Sequence, residues 1–369
     1  MLKCYPVAAT QENWLHEALI DILLLIHQKI DDDELVINNQ ATWRHLVETT
    51  VPIVHQAKIK SLRGIRDRLF SYKDELIKLD SVQRRVIISA MTSQNLISDL
   101  LGGIEPIQII KQTHPQLHIK ANELFVFAFE KLTDLKVRER QYEIIFNSLN
   151  DKICSFCGIE RVMDPEETAQ DQDHYLAKSI YPFAAANMRN LVPMCRCCNR
   201  DYKKAKNVII GDDDVRRKAF DPYNSNAPII SLTNSDLIPE TSPINIGWTI
   251  EFLSHVEEAE TWDQVFSIRT RYKRDILNRY FDTWLRGFML ICTKKRARGR
   301  ITPDFSPAQI RQQLQSYQED KTDHPNIGMA GFLEPLAFSF LLSKYDEGHP
   351  RVINLIRDAV LGIPIDDVA

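Results

Sequence analysis

The apolar positions of this chain recur mostly at helical spacing. In residues 12–30, Trp14, Leu15, Ala18, Leu19, Ile22 and Leu23 fall on one face. Similar patterns predict helices near 40–50, 56–79, 81–101 and 121–149. Asp80 or Ser81 offers an N-cap for the fourth helix, and Gly102-Gly103 and Pro106 close it. The character changes over 207–255. Asp212–Asp214, Asp221-Pro222-Tyr223, Pro228, Pro239 and Pro243 mark turns, and Ile229–Leu232 and Ile246–Leu253 read as short strands. Residues 260–297 read as one long helix with a core stripe through Trp262, Val265/Phe266, Ile276/Leu277, Tyr280/Phe281, Trp284/Leu285 and Phe288. Further helices are expected near 306–320, 329–344 and 350–360. No internal repeat is visible.

Composition narrows the picture. The 369 residues are 44% hydrophobic and 26% charged, with a formal net charge of −4. That is ordinary for a globular protein of two or three domains, so nucleic-acid binding would need a local basic patch. The most apolar stretch, Ala18–His27, is interrupted by Asp21 and is too short to cross a bilayer. The start of the chain lacks the pattern of a signal peptide. Seven cysteines, four of them in metal-type spacing, point to a reducing cytoplasm, with no membrane involved. The run Asp31–Glu34 reads as a solvated turn.

The chemistry concentrates in residues 154–206. Cys154/Cys157 and Cys195/Cys198 are Cys-x-x-Cys pairs, each able to grip one ion from a tight turn, and Gly158 eases the first. Four thiolates fill a tetrahedral Zn²⁺ site and leave no position for water, so this zinc is structural. Cys197 lies inside the second pair, but the two-residue interval favours Cys195/Cys198. Cys4 and Cys292 read as buried thiols. The 37 residues between the pairs carry Asp173-His174 and Asn190, and Asn199 follows the last cysteine. Phosphodiester hydrolysis needs a base, a cation and a group to orient the base. His174 has the intrinsic pKa of a base, and Asp173 and Asn199 offer hard oxygens suited to Mg²⁺ or Mn²⁺. Asn190 can orient the imidazole. Asn199 opens an expected helix over 199–206.

This stretch, DHYLAKSIYPFAAANMRNLVPMCRCCNRDYK, resembles the HNH endonucleases, the ββα-metal nucleases. The elements that carry the likeness are Asp173-His174, Asn190-Leu191-Val192-Pro193, Cys195 to Asn199, and Lys203. The resemblance implies a β-hairpin followed by a helix. It implies His174 as general base, oriented by Asn190, with Asp173 and Asn199 on one catalytic divalent ion. Tyr181-Pro182-Phe183 and Phe220-Asp221-Pro222-Tyr223 also resemble HNH proteins encoded beside ATPases in anti-phage systems of the Septu and retron type. That narrower likeness implies a defence effector regulated by an ATPase or other partner protein.

The expected fold is therefore mainly α, with a small α+β zinc-stapled ββα-metal core between helical N- and C-terminal regions. The segments are 1–150 (helical), 151–210 (nuclease core), 211–259 (strand- and loop-rich connector) and 260–369 (helical). The expected substrate is DNA, with RNA open. Arg189, Arg196, Arg200, Lys203, Lys204 and Lys206 are candidate phosphate contacts. A second candidate track is the run 262–300, with eleven Lys/Arg against three Asp. It can equally be a solvated helix face partly paired with the acidic tail. The alternative function is a non-catalytic zinc module that binds nucleic acid or protein.

Overall fold

The computed structural model describes residues 2–34, 39–167, 171–238, 245–298, 306–325 and 328–363. Pro239, Pro243 and Arg300 lie outside them. The described residues are mainly helical, with three two-stranded sheets among them. It divides into two compact units, Lys3–Phe156 with Val162–Asn226, and Cys157–Arg161 with Ala227–Ala369.

The first unit begins with α1 (Trp14–Asp31), α2 (Gln40–Thr50), α3 (Ile53–Ser61) and α4 (Arg63–Leu76). It continues with α5 (Ser81–Asn95), α6 (Ile97–Leu101), α7 (Pro115–Asp134) and α8 (Val137–Ser148). The apolar face read from residues 12–30 is the buried face of α1, where Leu15, Leu19, Ile22 and Leu23 are fully covered. Asp80 caps α5 in a capping box: its side chain accepts from the Val82 and Gln83 amides, and Gln83 returns a bond to the Asp80 amide.

Three of the helices expected in this unit are broken. The 56–79 pattern divides at Leu62 (ψ 75°), and the 81–101 pattern divides at Leu96 (ψ 59°). The 121–149 pattern starts earlier, at Pro115, and divides at Lys136 (φ 58°). No glycine or proline stands at these breaks, so tertiary packing sets them rather than local propensity. The core of this unit takes in α1, α2, α4, α5 and α7. It also takes in Phe183, Ala185, Ala186, Met188 and Leu191 of the segment between the cysteine pairs.

That segment forms a hairpin of β1 (Gln172–His174) and β2 (Leu191–Pro193), antiparallel, with Asp173 opposite Val192 and His174 opposite Leu191. A helical segment, Cys197–Lys203, follows, so the order is strand, strand, helix. Its turns are π-helical, with the Lys204 amide on the Asn199 carbonyl five residues back, instead of the α-helix expected over 199–206.

In the second unit, β3 (Ile230–Ser231) pairs with β6 (Glu251–Phe252), and β4 (Asp236–Leu237) pairs with β5 (Ile246–Gly247). The expected strand over 246–253 is thus two strands in different sheets. The expected helix over 260–297 is a series: α9 (Val256–Phe266), α10 (Ile268–Arg271), a π-helical Tyr272–Leu277, and α11 (Asn278–Ala297). It turns at Ser267, whose φ of 54° is left-handed. Next come α12 (Pro307–Asp323), α13 (Leu333–Asp346) and α14 (Pro350–Leu361). No helix among the described residues is long and apolar enough to cross a membrane.

Candidate metal centre and catalytic site

The four cysteines of the two knuckles converge. The Sγ atoms of Cys154, Cys157, Cys195 and Cys198 all lie within 4.8 Å of one another and are buried. The Cys154 and Cys198 sulfurs are 4.0 Å apart. Zinc–sulfur bonds of about 2.3 Å in a tetrahedron place sulfurs about 3.8 Å apart, so this donor set fits Zn²⁺. Backbone amides support it: Cys195 N–H points at Cys154 Sγ (3.4 Å), Cys198 N–H at Cys195 Sγ (3.4 Å) and Ile159 N–H at Cys157 Sγ (3.5 Å). Such contacts stabilise thiolates and fix the knuckle geometry. Gly158 has φ 66°, the left-handed turn that a glycine permits without a Cβ penalty. Cys197 is outside the cluster.

The hairpin that carries Asp173 and His174 is only three residues per strand, and side chains hold it. Tyr5 and Tyr223 donate their hydroxyls to the carbonyls of Pro193 and Leu191, each at 2.6 Å. Gln141 donates to the carbonyls of Met188 (2.9 Å) and Leu191 (3.3 Å). Sequence spacing gave no sign of these braces, because they come from positions 30 or more residues away.

His174 is buried, with its ring centroid 4.4 Å from that of Phe129 on α7. Its Nε2 is 2.9 Å from the Ala185 carbonyl oxygen, which selects the tautomer protonated at Nε2. Nδ1 is then an acceptor, with no hydrogen-bond partner among the described residues. Burial, then the nearby Lys178, pushes the imidazole pKa down to about 3, so the ring is neutral at pH 7.

Asn190 is fully buried and engages backbone rather than the imidazole. Its Oδ1 accepts from the Leu176 amide (2.7 Å), and its Nδ2 donates to the carbonyls of Leu176 (3.0 Å) and Ala184 (3.1 Å). It ties the chain after His174 to the residue before Ala185, and so acts on the imidazole only through the loop that supplies its acceptor.

Asp173 lies with its Oδ2 2.5 Å from Lys203 Nζ. Burial raises the carboxyl pKa and the Lys203 ammonium opposes that rise. Lys203 is 1% exposed and also donates to the His174 carbonyl at 3.0 Å. It is an internal tie between the helical segment and β1, not the phosphate contact expected from the basic run. Arg189 is likewise engaged inside the fold, with Nη2 on Asp221 Oδ2 (2.6 Å) and Ser98 Oγ (2.5 Å). Arg200 pairs with Asp171 at 2.5 Å while both stay largely in solvent. Arg196 and Lys204 are exposed, and Lys206 is half-buried.

Asn199 is half-buried near the start of the helical segment, and its side chain has no hydrogen-bond partner among the described residues. The fit of Asp173 and Asn199 to a hard divalent ion is partial. Mg²⁺ is commonly held by one or two carboxylates, waters and substrate phosphates. Here the single carboxylate already carries a lysine on one oxygen. Among the described residues, only the cysteines bring three or more His, Cys, Asp or Glu ligand atoms together.

Compared with protein-family models, curated proteins and solved structures, the chain matches none.

Two further expectations change. Cys292 is buried, but Cys4 is exposed. In the extended start of the chain it is Tyr5, the next residue, that turns inward, with 2% exposure. The basic run of the second unit is also more engaged than its charge suggests. Arg269 pairs with Glu260 and Asp263, Arg274 pairs with Asp275, and Arg271 is buried. Arg296 donates to the Leu361 carbonyl at the end of α14.

Proposed function

We propose that this protein is a metal-dependent endonuclease of the HNH type, with His174 as general base. One observation carries the reading. The imidazole is locked by its Nε2 to a loop carbonyl, on a strand–strand–helix unit built over a four-cysteine cluster, and this leaves Nδ1 as a proton acceptor. In this reading Nδ1 takes the proton of a water whose oxygen bonds to phosphorus as the bond to the leaving oxygen breaks. Solvent returns a proton to that oxygen. Asp173 and Asn199 would hold one Mg²⁺ or Mn²⁺, which when bound supplies charge neutralisation at the phosphate. Asn190 keeps the loop, and hence the ring, in place. Zinc on Cys154, Cys157, Cys195 and Cys198 serves folding alone. DNA is the proposed substrate, and an anti-phage effector regulated by a partner such as an ATPase is the proposed setting.

A second reading has its own support. The Lys203–Asp173 pair and an imidazole pKa of about 3 suit a structural zinc module that binds nucleic acid or protein without chemistry. The test is plasmid cleavage in Mg²⁺ or Mn²⁺ by the wild-type protein and by His174→Ala. The nuclease reading expects a loss of about 10²–10⁴-fold with zinc content unchanged. Equal rates in the two proteins would remove His174 as the base.

A further inference from the structure

Two cations beside the imidazole make no direct ion pair among the described residues, although Asp171 acts on Arg138 and Asp173 on Lys178 at longer range. Arg138, on the first turn of α8, lies with its guanidinium carbon 4.3 Å from the centre of the Phe129 ring. Lys178, four residues after His174, lies with Nζ 5.6 Å from the same ring centre. The His174 ring packs on Phe129 at 4.4 Å, so each cation is no further from the imidazole than the sum of two such spans. Both cations, together with Lys203, weigh against protonation of His174, as charges this close must.

Their surroundings are built. Arg138 Nε donates to Gln172 Oε1 (2.9 Å) and Nη1 donates to Thr133 Oγ1 (2.9 Å), both neutral acceptors. Those two bonds fix the guanidinium plane and leave Nη2 with no hydrogen bond among the described residues. The Lys178 backbone is pinned by Asn122, whose Nδ2 donates to the Lys178 carbonyl at 2.7 Å, while its ammonium has no hydrogen-bond partner among the described residues. Partly buried cations without a direct ion pair are costly to keep. Arg189, Arg200, Lys203 and Arg269 have all found carboxylates.

We infer that Arg138 and Lys178 form an anion site flanking His174, and that its ligand is a backbone phosphate of a nucleic acid. The inference rests on the proposed function for the purpose of the site, but not for its existence. A phosphate there would meet a fixed guanidinium edge and an ammonium that share one aromatic ring, the pairing that charge-assisted phosphate recognition uses. Of the positions expected from sequence to contact phosphate, Lys203 and Arg189 are engaged internally. Arg138 and Lys178, which the basic run does not include, take that place.

The test is binding of a fluorescently labelled oligonucleotide by the full-length protein, with no divalent ion added, followed by cleavage with Mg²⁺ or Mn²⁺. Lys178→Gln and Arg138→Gln should each weaken binding by about 10-fold or more, the scale of one charge-assisted hydrogen bond. Arg138→Lys should recover part of the loss. Zinc content reports that each variant is folded. Loss of binding in the cation variants, in a protein that never cleaves, would keep the anion site and overturn the nuclease reading. Binding unchanged in both Gln variants, or no oligonucleotide binding by wild type, would overturn the anion site. Inhibition by inorganic phosphate with oligonucleotide binding unaffected would overturn the nucleic-acid assignment.

Discussion

The sulfur cluster, which takes Cys195 and Cys198 from the segment after β2, and the Asp173–His174 pair on β1 differ in completeness. The cysteine site has all its donors within 4.8 Å, and backbone amides already face three of the sulfurs. The oxygen site has one carboxylate, held by a buried lysine, and one amide side chain with no partner among the described residues. A structural ion needs a closed shell, and the fold provides it. A catalytic ion shares its shell with water and substrate, so a protein that supplies only part of that shell is what such chemistry requires. In the proposed function, the closed sulfur shell is the folding site and the open oxygen site is the reactive one.

The sharpest break of this comparison is Cys154→Ser. Structural zinc contributes about 10–16 kcal/mol in small zinc modules, so the variant should lose its zinc and the cooperative unfolding of residues 154–206. Zinc content by mass spectrometry and thermal melts read the outcome. A folded, zinc-free variant would show the cluster to be dispensable.

Lys203→Met tests the other pole. It leaves the mostly buried Asp173 carboxylate without its cation, at a cost of about 3–5 kcal/mol in denaturant unfolding. The double variant with Asp173→Asn removes both charges and should recover much of that loss. A loss below about 1 kcal/mol in Lys203→Met would mean that the pair is not the tie between helix and strand.

A smaller effect separates burial from chemistry. His16 and His27 on α1 are buried, with pKa values pushed down to about 3 and about 4 by desolvation, much as in His174. A depressed value is therefore not in itself a sign of catalysis. The unfolded chain binds a proton near pH 6.5, and the folded chain binds it only near pH 4 at His27. Stability is then fully present above pH 6.5 and falls as pH drops from there towards 4. The slope is about 1.4 kcal/mol per pH unit for each histidine. His27→Gln should lose about 2 kcal/mol less than wild type between pH 7 and pH 5 in urea unfolding. Equal losses would place the acid sensitivity elsewhere.

The smallest effect belongs to Cys197→Ser, which should leave zinc content and melting temperature unchanged, because Cys197 is outside the cluster. A drop in zinc content would redraw the ligand set.

How far the sequence foretold this is uneven, for physical reasons. The cysteine pairs were legible because metal geometry dictates their spacing, and α1 and α5 were legible from periodicity and a capping residue. The breaks at Leu62, Leu96, Lys136 and Ser267 were not, since no residue there is a local breaker. Lys136 and Ser267 hold left-handed backbone, which only the surrounding packing can enforce. Lys203 was misread because a buried lysine in a basic run looks like any other lysine. What distinguishes it is the widened π-helical turn and the carboxylate on β1. Arg138 and Lys178 were invisible as a pair because Phe129, the ring that unites them, comes from a different helix.

The proposed function divides labour between two kinds of metal. Its most direct test is phosphodiester cleavage measured against added Mg²⁺ or Mn²⁺, with bound zinc quantified in the same samples. The account predicts no cleavage without the added ion, a rise to saturation with it, and one zinc per chain throughout. Cleavage that follows zinc occupancy and ignores Mg²⁺ and Mn²⁺, or no cleavage with any ion, would contradict it.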